Sequence, residues 1–266
     1  MAHIVNGLAE NLQDLVILAI AAVVFGAAGA LISYIAHHAW FRFWPVRSSA
    51  DNKLSDTVQT SLLAFSAFIL ALSVTNVFAN LAKAEETAMQ EALDITRLDR
   101  ELGALGALAA TARQTLAGYT KHVATDEWRT LAKEEPKLSP LAQQDMDALW
   151  TEVRAIQKNE ALAPAPIRDA LSSYLMRLEQ FRTDRLAAAT NSIPNIFWFV
   201  IILFVVAASF MNGRNTLRRF GVHLIVIHMS AIGILVALIV VVDNPFRGAT
   251  SVSSSIIAHA VKPVSP

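Results

Sequence analysis

The chain contains no cysteine. That excludes disulfides, thiolate metal sites and cysteine nucleophiles, and it leaves the redox compartment open. Charge is scarce as well: Asp, Glu, Lys and Arg make up 17% of 266 residues, against roughly 25% in soluble domains. Net charge is zero, so there is no basic footprint for nucleic acid. The glycine fingerprint for nucleotides, GxSxG and HExxH are all missing. No stretch alternates polar and apolar residues for long enough to suggest a strand, and no internal repeat stands out. In place of charge there is apolar surface, with 54% hydrophobic residues and a mean hydropathy of +0.43. Together these point to a membrane.

Four apolar segments carry that signal. The first, residues 15–36, reads "LVILAIAAVVFGAAGALISYIA" and has only Ser33 and Tyr34 as polar members. It meets the length of about 20 residues needed to cross the hydrocarbon core. Residues 1–14 hold no Lys or Arg, so the run is not a signal peptide. The second span covers 57–82, the third 193–211 across Pro194, and the fourth 220–242 with His223 and His228 inside it. Residues 83–191 have ordinary soluble character and read as a helical domain continuous with the second span; 1–14 and 243–266 are tails.

Within the domain, Ala88, Ala92, Ile95, Leu98, Leu102, Leu105 and Ala109 recur at three- and four-residue steps. They predict one long helix over 83–123, reaching as far as Glu135, with a single buried stripe. Ser139 fits an N-cap and Pro140 the first position of the next helix. "APAP" at 163–166 ends that helix. A third helix begins near Pro166, with Leu171, Leu175, Leu178 and Phe181 or Arg182 on its inner face. The fold class is therefore an all-α membrane protein: four transmembrane helices with a helical soluble domain between the second and third. Narrow apolar stripes on long helices need covering, and a homo-oligomer supplies the cover simply.

Polar residues in the second span follow a heptad. Gln59, Ser66, Ser73, Asn80 and Thr87 are spaced by seven, and Asn76 sits three beyond Ser73. Such side chains share one slowly drifting face. That face either lines a water-filled pore or hydrogen-bonds to a neighbouring helix. Phe65, Phe68 and Leu72 form an adjacent apolar face, suited to a constriction that gates by dewetting or to plain lipid and core contact. "GAAGA" at 26–30 places Gly26 and Ala30 four apart with Gly29 between, a small-residue packing face.

Nothing in the chain has catalytic spacing. The pairs Asp126/Glu127, Glu134/Glu135 and Asp145/Asp147 read as solvated helix faces. His223 and His228 are five apart, and His37 and His38 are adjacent, so neither pair shares a face for a metal. No catalytic residue, metal or cofactor is expected, and no enzyme.

The fourth span ends in "DNPFRG". Pro245 disfavours helix at Asn244 and Gly248 permits a turn, so the hexapeptide stops a helix. Phe246 is not needed for that and is predicted to bury its ring against a neighbouring helix. The set Asp243, Asn244, Pro245, Phe246 and Gly248 resembles the Asn-Pro-Phe-Gly element after the last membrane helix of bestrophins. It is closer to the Asp-x-Pro-Phe-x-Gly ending of the bacterial and plant family called bestrophin-like. "RLEQFRTDRLAAATNSIPNIFW", with Arg177, Arg182 and Arg185, and "NVFANLAKAEETAMQEA" fit the same pattern.

The resemblance implies a pentameric anion channel in a lipid bilayer, passing chloride or another small anion through a pore lined by the second helix. On that basis Phe65, Phe68 and Leu72 build the constriction, and Ser66, Ser73, Asn76 and Asn80 line the path beside it. One departure matters: "ATSVSSS" follows Gly248 with no carboxylate, so calcium gating is not implied. The short loops carry Arg42, Arg47, Lys53, Arg214, Arg218 and Arg219. The other side carries Lys83, Arg97, Arg177, Arg182, Arg185, Arg247 and Lys262. Six against seven is a tie by count, and density favours cytoplasmic loops. The resemblance instead implies a cytoplasmic helical domain at a bacterial inner membrane, and that orientation is the expectation adopted. The alternative is a membrane sensor or scaffold that uses the helical domain for protein contacts and has no pore.

Overall fold

The computed structural model describes residues 2–43, 49–158, 164–213 and 219–261, and all regular structure among them is helical. In chain order the helices are α1 (Ala2–Phe43), α2 (Ser49–Ala104), α3 (Ala110–His122), α4 (Trp128–Leu131), α5 (Pro140–Gln157), α6 (Ala165–Thr190), α7 (Asn195–Asn212), α8 (Arg219–Val242) and α9 (Ser255–Ala258). Two compact units divide the chain: Met1–Phe78 with Ser192–Asp243, and Ala79–Asn191 with Asn244–Pro266.

Among the described residues, four helices are long and apolar enough to cross a membrane. In the first unit α1 packs along α8 and against α7. Glycine makes the approach possible. A Cβ at Gly29 would collide with the Met229 side chain, and one at Gly26 would meet Ser230 Oγ at 2.5 Å. From the other helix, a Cβ at Gly233 would meet Ala21 O at 2.7 Å. The small-residue face of "GAAGA" thus has its partner inside the same chain, through Gly26 and Gly29. Hydroxyls lace the contact: Ser230 Oγ donates to Ala22 O at 2.8 Å, and Ser33 Oγ to Ser209 O at 2.8 Å. Replacing Gly29 with leucine is expected to cost about 1–3 kcal/mol through overpacking, read as a lower unfolding temperature in detergent. Outward, Leu15, Val23, Leu31, Phe199 and Ile227 are exposed, as suits helices whose solvent is hydrocarbon.

In the second unit, the predicted stripe is the core. Ala88, Ile95, Leu98, Leu102 and Ala109 are buried, with Ala92 and Leu105 partly buried against them. The predicted single helix to residue 123 is not what forms. α2 ends at Ala104, a 3-10 turn covers Gly106–Ala109, and α3 starts at Ala110. Gly106 has φ +58°, a conformation that glycine adopts without steric cost and that ends the helix. The chain then folds back on itself. Arg113 binds Asp99 at 2.8 Å, and Tyr119 OH donates to Glu91 at 2.9 Å, two pairs nearly symmetric about the turn.

Ser139 caps α5 as its sequence suggests, accepting from the Leu141 and Ala142 amides, with Pro140 in the first turn. α3 packs on α5, and α5 on α6. Leu171, Leu175 and Leu178 of α6 are fully buried. The tail closes the unit, with α9 against α3 and Ile257 buried.

Candidate functional site

The second membrane helix separates its residues sharply. Phe65, Phe68 and Leu72 are 57%, 61% and 47% exposed, and Asn76 is exposed beside them. Ser66, Ser73 and Asn80 are only 4%, 2% and 9% exposed. At 3.6 residues per turn, positions 65, 68, 72 and 76 fall within an arc of about 80°, and 66, 73 and 80 centre about 100° from its middle. The seven-residue polar repeat is therefore mainly a packing face.

Its hydrogen bonds stay within the chain. Ser66 Oγ donates to Leu62 O at 2.8 Å and Ser73 Oγ to Ile69 O at 2.9 Å, the back-bonding that lets a hydroxyl sit inside a helix bundle. Gln59 donates to the Asn212 carboxamide at 2.5 Å. Asn80 Nδ2 donates to Ala188 O at 3.0 Å. Ser66, Ser73 and Asn80, expected beside the path, are buried within the chain's own packing. Phe65, Phe68, Leu72 and Asn76 keep a free surface. Phe65 lies parallel to Phe204 of α7, with ring centroids 6.2 Å apart.

The hexapeptide after α8 is built into its surroundings residue by residue. Asp243 accepts the Ile193 amide at 3.1 Å, just ahead of α7. Burial pushes the Asp243 carboxyl above its usual range, while this hydrogen bond pulls the other way. Asn244 donates to Leu131 O at 3.1 Å and accepts the Phe246 amide at 2.9 Å. Pro245 O accepts the Val252 amide at 2.9 Å, and Gly248 supplies a φ of +87°. Phe246 is 4% exposed and meets Trp128 edge to face at 5.3 Å. Trp128 Nε1 donates in turn to Val252 O at 2.8 Å. The ring anchors the tail to the helical unit. Phe246→Ala is expected to cost about 3–5 kcal/mol, seen as early melting of the tail by hydrogen exchange.

Behind Trp128 lies a network that the sequence reading did not find. Glu91, Glu127 and Arg185 are fully buried, and Arg182 nearly so. Arg182 Nη2 donates to Glu127 Oε2 at 2.7 Å, and Arg185 Nη2 to Glu127 Oε1 at 2.5 Å. Arg185 also pairs with Glu91 and lies over the Trp128 ring at 5.4 Å. Arg182 Nη1 donates to Gln143 at 2.7 Å, and the Ser139 amide donates to Glu127 at 3.1 Å. Burial pulls the Arg185 guanidinium down to about 9, so it stays cationic at neutral pH. Burial first, and then the charge of Glu127, push the Tyr119 phenol up, so it remains a donor.

Glu127 was expected on a solvated face. It sits instead at the end of a π-helical turn, Val123–Glu127. The wider turn changes the register, and Glu127 points inward. The other carboxylates divide. Asp145 pairs with His122 at 2.6 Å. Asp126 accepts Ser139 Oγ at 2.5 Å, which holds its carboxyl below the usual range, with Arg129 next in effect. Asp147, Glu134 and Glu135 are exposed. His37 Nδ1 lies 2.9 Å from Gly213 O and His38 Nδ1 3.0 Å from Tyr34 O, whereas His223 and His228 are exposed on α8. Among the described residues, no three His, Asp or Glu side chains are placed to hold a metal ion. The arrangement can bear load and hold the tail; its charges balance and none faces solvent.

Comparison with known proteins matches residues 17–257 to the sequence model of the bestrophin-like domain. No curated protein matches the chain. Among solved structures, a bacterial bestrophin homologue from Klebsiella pneumoniae is similar with a TM-score of 0.68 at 12% identity, covering 90% of this chain and 94% of that one. A point mutant of that homologue gives 0.71 at 12% identity, covering 89% and 94%. At this identity the likeness speaks for a shared fold.

Proposed function

Because the chain belongs to the bestrophin-like family, we propose that it forms a homo-oligomeric channel, a pentamer, that passes chloride or another small anion along an axis lined by α2. The observation that carries this reading is the free apolar face of Phe65, Phe68 and Leu72, with the exposed Asn76 beyond it. Aromatic and aliphatic rings repeated around an axis make a hydrophobic constriction, which conducts when wetted and blocks when dry. Asn76 offers amide donors to an anion leaving it. Ser66, Ser73 and Asn80 are left out of the lumen in this reading: they are buried within the subunit, and Asn80 ties α2 to Ala188.

The helical unit faces the cytoplasm of a bacterial inner membrane in this reading. The family likeness supports that orientation more than charge does. Arg182 and Arg185 are ion-paired in the core, so they add little to the positive-inside bias of that side. A tag on the C-terminus, tested for protease access in sealed inside-out vesicles, should be cleaved; protection would reverse the orientation. Purified protein in liposomes should give chloride flux above empty vesicles. A well-folded oligomer without flux would instead favour the scaffold reading, with contacts made by the helical domain.

A further inference from the structure

The second unit has ordinary soluble character, and it exposes few large apolar side chains. Among its described residues these are Met89 and Leu93 on α2, Leu141 in the first turn of α5, and Met176 on α6. Met89 and Leu93 lie one turn apart and make a single patch. Arg100 follows Leu93 by seven residues, is exposed and is in no ion pair among the described residues. On α6, Leu171, Leu175 and Leu178 fill the core, and Arg177 turns to Asp94 of α2 at 2.6 Å. Met176 is left facing outward, with the exposed Glu179 three residues on. Glu179 is held in place by the Trp150 Nε1 donor at 2.8 Å and has no cationic partner among the described residues.

The α2 patch is thus basic at its edge and the α6 patch acidic. Packing α2 on the α2 of another copy would join the apolar side chains but set arginine against arginine. Packing α6 on α6 would do the same with glutamate. Only α2 on α6 buries the apolar groups and pairs Arg100 with Glu179. Such a contact joins two different patches, so it repeats from copy to copy and can close into a ring. Round α2, Met89, Leu93 and Arg100 lie about 60–100° from the middle of the Phe65–Asn76 arc. One helix can therefore turn one face to an axis and the next face to a neighbour. We propose that Met89, Leu93 and Arg100 dock on Met176 and Glu179 of a second copy, and that this contact joins the helical units of the oligomer. The proposal rests on the homo-oligomer of the preceding reading but not on conduction.

Cross-linking of the intact protein in detergent tests it, because the chain has no thiol of its own. With a mild oxidant, the Leu93→Cys, Met176→Cys double variant should give a ladder of linked species up to the whole oligomer. Neither single variant should link alone, and a co-expressed mixture of the two should link only in pairs. Arg100→Glu or Glu179→Arg should each lower the linked fraction severalfold. Both together should restore it, since the charges are exchanged across one contact. All four positions are exposed, so the variants should fold normally. Linking by Leu93→Cys alone would mean a two-fold contact and would overturn the proposal. An oligomer of normal size that gives no ladder would overturn it too, while leaving the channel reading intact. A ladder in protein that passes no chloride would support the contact and count against the channel. A folded monomer would overturn both.

Discussion

Glu127→Ala is expected to lower the stability of the helical unit by about 3–5 kcal/mol. Glu127 is the shared acceptor of Arg182 and Arg185. Removing it leaves two guanidinium groups in a dry core with Glu91 as their remaining carboxylate. Cationic arginine is not relieved by losing its proton at neutral pH, so the helices must separate or admit water. Glu127→Gln keeps two acceptor lone pairs and loses the charge, and should fall between wild type and alanine. By contrast, replacing Glu91, Glu127, Arg182 and Arg185 together with apolar residues of similar volume should restore much of the stability, since paired charges in a core are costly to desolvate. Chemical or thermal unfolding of the detergent-solubilised protein reads all three. A Glu127→Ala protein as stable as wild type would mean that the network is wet.

The second large effect belongs to the proposed constriction. Phe68→Ala removes a ring that is 61% exposed and supports little of the subunit's own packing. Stability should change little, while chloride flux in liposomes rises severalfold as the narrowest, driest part of the path widens. Ser73→Ala is the control. Its hydroxyl bonds back to Ile69 O in its own helix, and flux should stay at the wild-type level. A Phe68→Ala protein that keeps its oligomer and its flux unchanged would place the conducting path elsewhere.

How much of this was legible in the sequence depends on which rule each residue obeys. The apolar spans, the Ser139 cap and the buried stripe from Ala88 to Ala109 follow directly from length and periodicity. The turn at Gly106 was missed because the stripe runs on through it: periodicity cannot distinguish one long helix from two that fold together. The polar heptad of α2 gave the face correctly but not its surroundings, since small polar residues suit a pore and a helix interface equally well. Only neighbours decide, and Ala188, Asn212 and the preceding turns of α2 are those neighbours.

The ion network did leave a trace. Leu171, Leu175, Leu178, Arg182 and Arg185 step by four and three residues, and so do Ala84, Ala88, Glu91, Ile95 and Leu98. Charged residues of opposite sign occupy inward positions on two apolar stripes, which is the pattern of a buried pair. Glu127 left none, because a π turn shifts the register there. In "DNPFRG" Phe246 exceeded the needs of a helix stop, and its burial on Trp128 accounts for it.

The absence of cysteine makes the decisive measurement clean, since any thiol introduced is the only one in the chain. Leu72→Cys and Ser73→Cys are neighbours that differ by one step around α2. In liposomes carrying chloride flux, a charged water-soluble thiol reagent should block the Leu72→Cys channel and leave the Ser73→Cys channel untouched. Block at Ser73→Cys with none at Leu72→Cys would contradict the assignment of the exposed α2 face to the pore.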